Sequence, residues 1–275
     1  MFYRSVDGWE QWKIIFHKNL KVLMLPYVVF SILGILVGVI YYHVTDDSTY
    51  QPTISTIVTN FVGMGCYYWS SHLWFLLTHF LVKIIAPLML RFLNIYILIL
   101  VFIAIAFAHN YFMQGSFNWI GNFCTGMFFY LMGIMLKDKQ YNPRTIVLSV
   151  LLLLIIGLVK PTLVPMFSNL VQNDGIYLLW FPFCLSGIIL INNVFRKVSS
   201  YHISFPILES VGKNSMLYYL LHFSIPILLC KLHLFYQPDG NHWEYLCYLL
   251  VFTAICLPII SKIILNTRLN VLLGK

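Results

Sequence analysis

The chain alternates between long apolar stretches and short polar ones. Eight stretches are apolar over roughly the 20 residues that a helix needs to cross a bilayer. The pattern predicts an all-α, polytopic integral membrane protein with eight transmembrane helices, at 22–42, 72–90, 94–110, 117–136, 145–159, 175–195, 215–235 and 245–265. No repeat or soluble segment interrupts this series, so we predict a single domain over 1–275, with an eight-helix bundle at 22–265.

The segment before the first apolar stretch has a different period. Trp9, Trp12, Phe16 and Leu20 follow one another at spacings of three and four residues, which places them on one face of a helix. Lys13 and His17 turn away from that face. We therefore predict that 1–21 forms an amphipathic helix lying in the membrane interface.

Charge supports the span count and orients the chain. Fourteen of the 17 basic residues lie before the first predicted span or around the end of each even-numbered one. Because basic residues collect in cytoplasmic loops, both termini are predicted to be cytoplasmic. The long outer segment 43–71 has room for a lid or re-entrant piece, but its aromatic run at 67–69 favours an interfacial belt.

Composition excludes several other classes of protein. The chain is 60% hydrophobic and 9% charged, with a mean hydropathy of +0.82, which no soluble domain of this length matches. The net charge of +8 is spread over five loops, so we predict no nucleic-acid partner. Five of the six cysteines lie in predicted spans without C-x-x-C spacing, so neither a metal site nor disulfides are predicted.

Ionisable residues within the predicted spans are the candidates for chemistry. His72, His79 and Lys83 share one broad face of the second span, over about 16 Å of helix axis. His222 lies within the seventh span, four residues after Tyr218. A charge at mid-membrane costs about 3 kcal/mol, so these groups must face the bundle interior or water. Two interpretations remain open at this point: a functional path, or a buried polar cluster with satisfied hydrogen bonds.

Four short motifs occur in a familiar order along the chain. They are Leu25-Pro26-Tyr27 after a basic segment, His72-Leu73-Trp74-Phe75-Leu76, Phe123-Cys124-Thr125-Gly126, and the stretch from Val211 to His222 that reads VGKNSMLYYLLH. Together they resemble the membrane acyltransferase-3 family, particularly its fucose 4-O-acetylase-like and polysaccharide O-acetyltransferase members. The resemblance covers nearly the whole chain.

The resemblance implies an O-acyltransferase of the bacterial cytoplasmic membrane, surrounded by membrane lipids. Such a protein takes an acyl group, usually acetyl, from acyl-CoA and delivers it to a hydroxyl of a cell-envelope glycan or lipid-linked saccharide. Acetyl-CoA is then a donor substrate, and no bound cofactor is implied. The implied catalytic residues are His222 and His79. The implied donor or substrate path contains Lys83, His72, Trp74, Tyr218, Lys18 and Lys21.

One departure from the family pattern bears on activity. Members usually have about ten spans, and the first carries an arginine followed by a membrane-embedded histidine taken as catalytic. This sequence begins where the third span would be approached, so the resemblance predicts a truncated or an inactive copy. Two other classes remain as alternatives: a small transporter or polysaccharide-export subunit with an intramembrane His/Lys path, and a membrane scaffold without chemistry.

Overall fold

The structure is a computed structural model, and every regular element in its described part is helical. It describes residues 8–45, 51–112, 119–137, 139, 141–159, 176–201, 206–221, 251, 255–267 and 271. The chain divides into two compact units, Arg4–Arg91 with Ile207–Lys275, and Met1–Tyr3 with Phe92–Pro206. The prediction of a single domain stays a prediction.

The unit formed by Arg4–Arg91 and Ile207–Lys275 contains seven described α-helices. They are α1 (Trp9–Asn19), α2 (Leu25–Thr45), α3 (Ile54–Met64), α4 (Trp74–Phe92), α9 (Pro206–Lys213), α10 (Ser215–Leu221) and α11 (Leu257–Asn266). A π turn, Leu20–Met24, joins α1 to α2 without a break, and a 3₁₀ helix, Tyr68–Leu73, leads into α4. The sequence predicts a separate surface helix before the first span, but the described chain is helical continuously from Trp9 to Thr45.

The other unit contains α5 (Ile95–Phe112), α6 (Trp119–Leu136), α7 (Pro143–Val159) and α8 (Ile176–Ser200). Asparagine side chains begin two of these helices: Asn94 Oδ1 accepts from the Tyr96 N–H and Asn142 Oδ1 from the Thr145 N–H. Rings of Phe128 and Phe181 pack edge to face, with centroids 4.5 Å apart. The Arg196 guanidinium donates to the carbonyls of Lys137 and Lys139, which ties the loop after α6 to the end of α8.

The helices agree with the predicted apolar stretches, but fewer of them are long enough to span. Four helical segments of the described chain are long and apolar enough to cross a membrane: Trp9–Thr45, Ser70–Phe92, Trp119–Leu136 and Leu179–Ser200. The seventh predicted span is described only as far as Leu221, and the eighth only at 251 and from 255. The all-α membrane fold is thereby confirmed, while eight spans and cytoplasmic termini stay predictions.

The segment predicted as an outer loop folds back against α2. Helix α3 begins at the cap Thr53, whose side chain accepts from the Thr56 N–H, and ends at Gly65, which has a left-handed φ of 73°. Tyr27 Oη then donates to the Gly65 carbonyl at 2.6 Å. Tyr67 is 2% exposed and packs in a cluster with Tyr41, so this ring lies in the interior rather than in an interfacial belt.

Helix α2 presents a row of small and aromatic residues to this turn. Tyr27, Gly34 and Tyr41 recur every seven residues and are all buried. A Cβ atom built on Gly34 would lie 2.6 Å from Ser70 Oγ and 2.8 Å from Ser70 Cβ. Only glycine therefore permits the observed approach of α2 to the 3₁₀ helix.

We expect Gly34→Ala to destabilise the protein by about 1–3 kcal/mol, because the added methyl forces Ser70 away from α2. The measurement is the midpoint of unfolding in detergent, monitored by circular dichroism. Gly63→Ala is the matched control, since a Cβ atom there meets nothing within 4 Å. Equal midpoints for the two variants would contradict the close approach.

Cys66 is a second test of this buried turn. Its thiol donates to the Ser71 carbonyl at 3.1 Å and is fully buried. Burial raises the pKa of the Cys66 thiol to about 12. At pH 8 the Cys66 side chain is then in the reactive thiolate form in about one molecule in ten thousand.

We therefore expect N-ethylmaleimide to leave Cys66 unmodified at pH 8 in the folded protein. Modification should become appreciable only after unfolding in dodecyl sulfate, which exposes the thiol and returns its pKa to the ordinary range. Peptide mass spectrometry measures the modified fraction at this residue. Rapid modification of folded protein at pH 8 would show that the turn is open.

Candidate active site

Helix α4 and the 3₁₀ helix before it carry four of the residues that the sequence predicts for the site. Trp74 opens the helix, His79 and Lys83 follow one turn apart, and His72 lies in the 3₁₀ helix just before it. His79 and Lys83 are half-buried, and His72 is 8% exposed. Apart from the buried Thr78 and the terminal Arg91, the remaining positions of α4 are apolar, so His79 and Lys83 are the ionisable groups in the middle of this helix.

The imidazole of His79 packs on an aromatic ring, and one of its nitrogens can still form a hydrogen bond with a ligand. Its imidazole stacks on Phe75, with centroids 5.6 Å apart and planes 5° from parallel. The Nε2 atom is buried and has no hydrogen-bond partner among the described residues. A buried nitrogen of this kind can accept or donate a proton when a substrate approaches.

Two lysines belong to the helices that meet at this histidine. Lys83 lies one turn after His79 on α4, and Lys18 is exposed near the end of α1. Neither lysine has an acidic partner among the described residues, whereas Lys13 on the same α1 pairs with Glu10 at 2.8 Å. These basic side chains therefore have no acidic counterpart among the described residues and can interact with an anion.

Helix α1 reaches α4 through its aromatic face. Trp12 Nε1 donates to the Ile84 carbonyl at 3.1 Å, and Phe16 contacts Phe80 with ring centroids 5.9 Å apart. The predicted aromatic face of the N-terminal helix thus packs partly on protein, although Trp9 is 55% exposed.

Helix α10 covers the other end of the site. Tyr219 Oη donates to the His72 carbonyl, and the Tyr219 ring contacts both Phe75 and His72, at 5.4 and 5.5 Å. The rings thus run in a continuous series from His72 through Tyr219 and Phe75 to His79. Tyr219 is absent from the predicted site because periodicity does not decide between it and its neighbour Tyr218.

The remaining predicted residues have different surroundings. Tyr218 lies 3.5 Å from Ser261 of α11, measured between the two hydroxyl oxygens. Lys21 is exposed within the π turn. His222 follows Leu221 directly and lies outside the described residues, so its predicted catalytic role stays a prediction. Among the described residues no group of histidines, cysteines and acids is arranged to hold a metal ion.

A family model described as an acyltransferase domain matches residues 4–261. The chain belongs to the acyltransferase-3 family. The predicted resemblance is thereby confirmed. No curated protein and no solved structure matches the chain. Membership in the acyltransferase-3 family, together with the apolar helices, indicates a membrane protein with an acyltransferase-type function.

Proposed function

We propose that this acyltransferase moves an acetyl or other acyl group from acyl-CoA to a hydroxyl of a cell-envelope glycan or lipid-linked saccharide in the bacterial cytoplasmic membrane. One observation supports this proposal most directly. His79 has a buried Nε2 atom without a hydrogen-bond partner among the described residues, and Lys83, one turn further along α4, has no acidic partner there. A general base and a cationic group for the donor phosphates are two functions that transfer from an acyl-CoA requires.

The lysines suit the donor because coenzyme A carries several phosphate groups. An ammonium group binds phosphate as a point charge. Lys18 and Lys83 have no acidic partner among the described residues, so a phosphate group would not have to displace one. The attraction is strong because part of the site is removed from water. Lys21, exposed in the neighbouring π turn, is placed to extend the same basic surface.

Histidine suits the transfer step because it exchanges protons near neutral pH. In the proposed reaction the acceptor hydroxyl oxygen attacks the thioester carbonyl while the His79 imidazole takes the hydroxyl proton. The carbon–sulfur bond breaks, the sugar ester forms, and the proton passes from the imidazolium to the departing thiolate of coenzyme A. His222 is the second candidate for this role.

The site also suits an acceptor on the far side of the membrane. Coenzyme A is too highly charged to cross lipid, so its acyl group needs a polar position within the helices at which to meet the acceptor. His79 lies five residues into α4, whose apolar length is sufficient for a span. We include eight spans and cytoplasmic termini in this proposal, since they place the basic N-terminal segment on the side of the acyl-CoA pool.

We expect His79→Gln to lower acetyl-CoA turnover by about 10²–10⁴-fold, the usual contribution of a general base. Lys83→Met should raise the KM for acetyl-CoA about 10- to 150-fold, because a charge-assisted contact contributes about 1.5–3 kcal/mol. Both quantities are measured with the protein in lipid nanodiscs, by following the free coenzyme A thiol that forms as acetyl-CoA is consumed. When no acceptor is added, the same thiol reports the hydrolysis of acetyl-CoA.

Two variants serve as controls. His109→Gln alters a histidine of α5 in the other compact unit, and Lys13→Gln alters a lysine of α1 that already pairs with Glu10. Both should retain turnover. Loss of activity in His222→Gln but not in His79→Gln would assign the base to His222. Folded protein that neither binds nor hydrolyses acetyl-CoA, and that instead moves protons or solute across liposomes, would favour a transporter.

A further inference from the structure

The orientation of the His79 imidazole depends on a ring contact within α4. Phe75 and His79 are four residues apart, so they lie on one face of the helix. Their rings stack, with centroids 5.6 Å apart and planes 5° from parallel. The buried Nε2 atom forms no hydrogen bond with the described residues, so no such bond fixes the direction of this nitrogen. The stack on Phe75 therefore sets the plane of the imidazole.

The ring of Phe75 needs support from another helix. It is 44% exposed, so burial alone does not hold it in one position. Trp74, its neighbour in the sequence, contacts it edge to face, with centroids 6.0 Å apart. The ring of Tyr219, on α10, contacts it with centroids 5.4 Å apart and planes 56° from parallel. Tyr219 thus connects Phe75 to a helix from a distant part of the chain.

Tyr219 is itself held at its hydroxyl and at its backbone. The hydroxyl donates to the His72 carbonyl, in the 3₁₀ helix that leads into α4. Around it in α10, Leu217 and Leu220 are buried in the same hydrophobic core as Leu76 of α4. A tyrosine ring that is anchored at both ends has little freedom to turn away from its neighbours.

We propose that Tyr219 is a positioning residue: its ring holds Phe75 in place, and Phe75 in turn holds the His79 imidazole in one orientation. A proton moves best along a nearly straight hydrogen bond, so the direction of Nε2 affects the transfer step rather than the binding of acetyl-CoA. That His79 is the general base rests on the proposed function. The orientation of its ring does not, because it follows from the ring contacts alone.

Substitution of the two supporting rings tests this inference. We expect Phe75→Leu, which keeps apolar bulk but removes the flat face, to lower kcat about tenfold while the KM for acetyl-CoA stays within about twofold. Phe75→Tyr keeps the ring and should retain kcat. Tyr219→Leu should also lower kcat without changing KM. Phe92→Leu is the matched control, because Phe92 is the last residue of α4 and is 74% exposed.

A double variant shows whether Tyr219 acts through Phe75. The second substitution then removes support for a ring that is already absent, so Phe75→Leu combined with Tyr219→Leu should have the same kcat as Phe75→Leu alone. If the two losses multiply in the double variant, Tyr219 does not act through Phe75 and the inference is overturned.

A second measurement is independent of activity. Diethyl pyrocarbonate modifies accessible imidazole nitrogens, and peptide mass spectrometry gives the rate of modification at His79. We expect this rate to rise several-fold in Phe75→Leu and in Tyr219→Leu, and to stay unchanged in Phe75→Tyr and Phe92→Leu. An unchanged rate in folded Phe75→Leu or folded Tyr219→Leu would contradict the inference. A raised rate in both, in a protein that never turns over acetyl-CoA, would support the positioning of the imidazole and reject the proposed function.

Discussion

A hydrogen atom in place of a side chain at Gly34 lets the turn before α4 lie directly against α2. The turn cannot move outward freely, because Tyr27 holds the Gly65 carbonyl and Cys66 holds that of Ser71. This buried turn determines where α4 begins. His79 and Lys83 are built on α4, so their position depends on an approach that a single methyl group at Gly34 would prevent.

Aromatic rings shield the ionisable groups of α4. In lipid an exposed imidazole or ammonium group is costly, and the usual solution is to cover it with neighbouring helices. Here α1 supplies Trp12 and Phe16 on one part of α4, and α10 supplies Tyr219 on another. Rings exclude lipid without pairing the basic nitrogens with an acid, so these nitrogens remain available to a ligand.

The helices themselves were predictable, because each one corresponds to a long apolar stretch in the sequence. Residues 72–90 were predicted as a span, and α4 with its preceding turn occupies that stretch. The His79–Lys83 pair was predictable as well, since four residues make one helical turn. Both inferences depend only on local periodicity, which tertiary packing did not override in this segment.

Other features depend on contacts between distant residues and therefore escaped prediction. The segment 43–71 gave no apolar stretch of spanning length, yet it contains α3 and a turn buried against α2. Tyr218 and Tyr219 are about 100° apart around α10, and only the position of α4 decides which one meets His72. The hydrogen bond from Trp12 of α1 to the Ile84 carbonyl joins residues 72 positions apart, and no local pattern indicates it.

The π turn at Leu20–Met24 determines how the faces of α1 and α2 are related. There the Leu25 N–H donates to the Leu20 carbonyl, five residues earlier, so the turn holds one residue more than an α-helix would. Each residue rotates an α-helix by about 100°. Shortening the segment by one residue would straighten the helix and carry Trp12 and Phe16 about a quarter turn around it. The single extra residue of the π turn thus sets the rotation of α1 relative to α2. The length of this segment is therefore constrained more strictly than the identity of its exposed side chains.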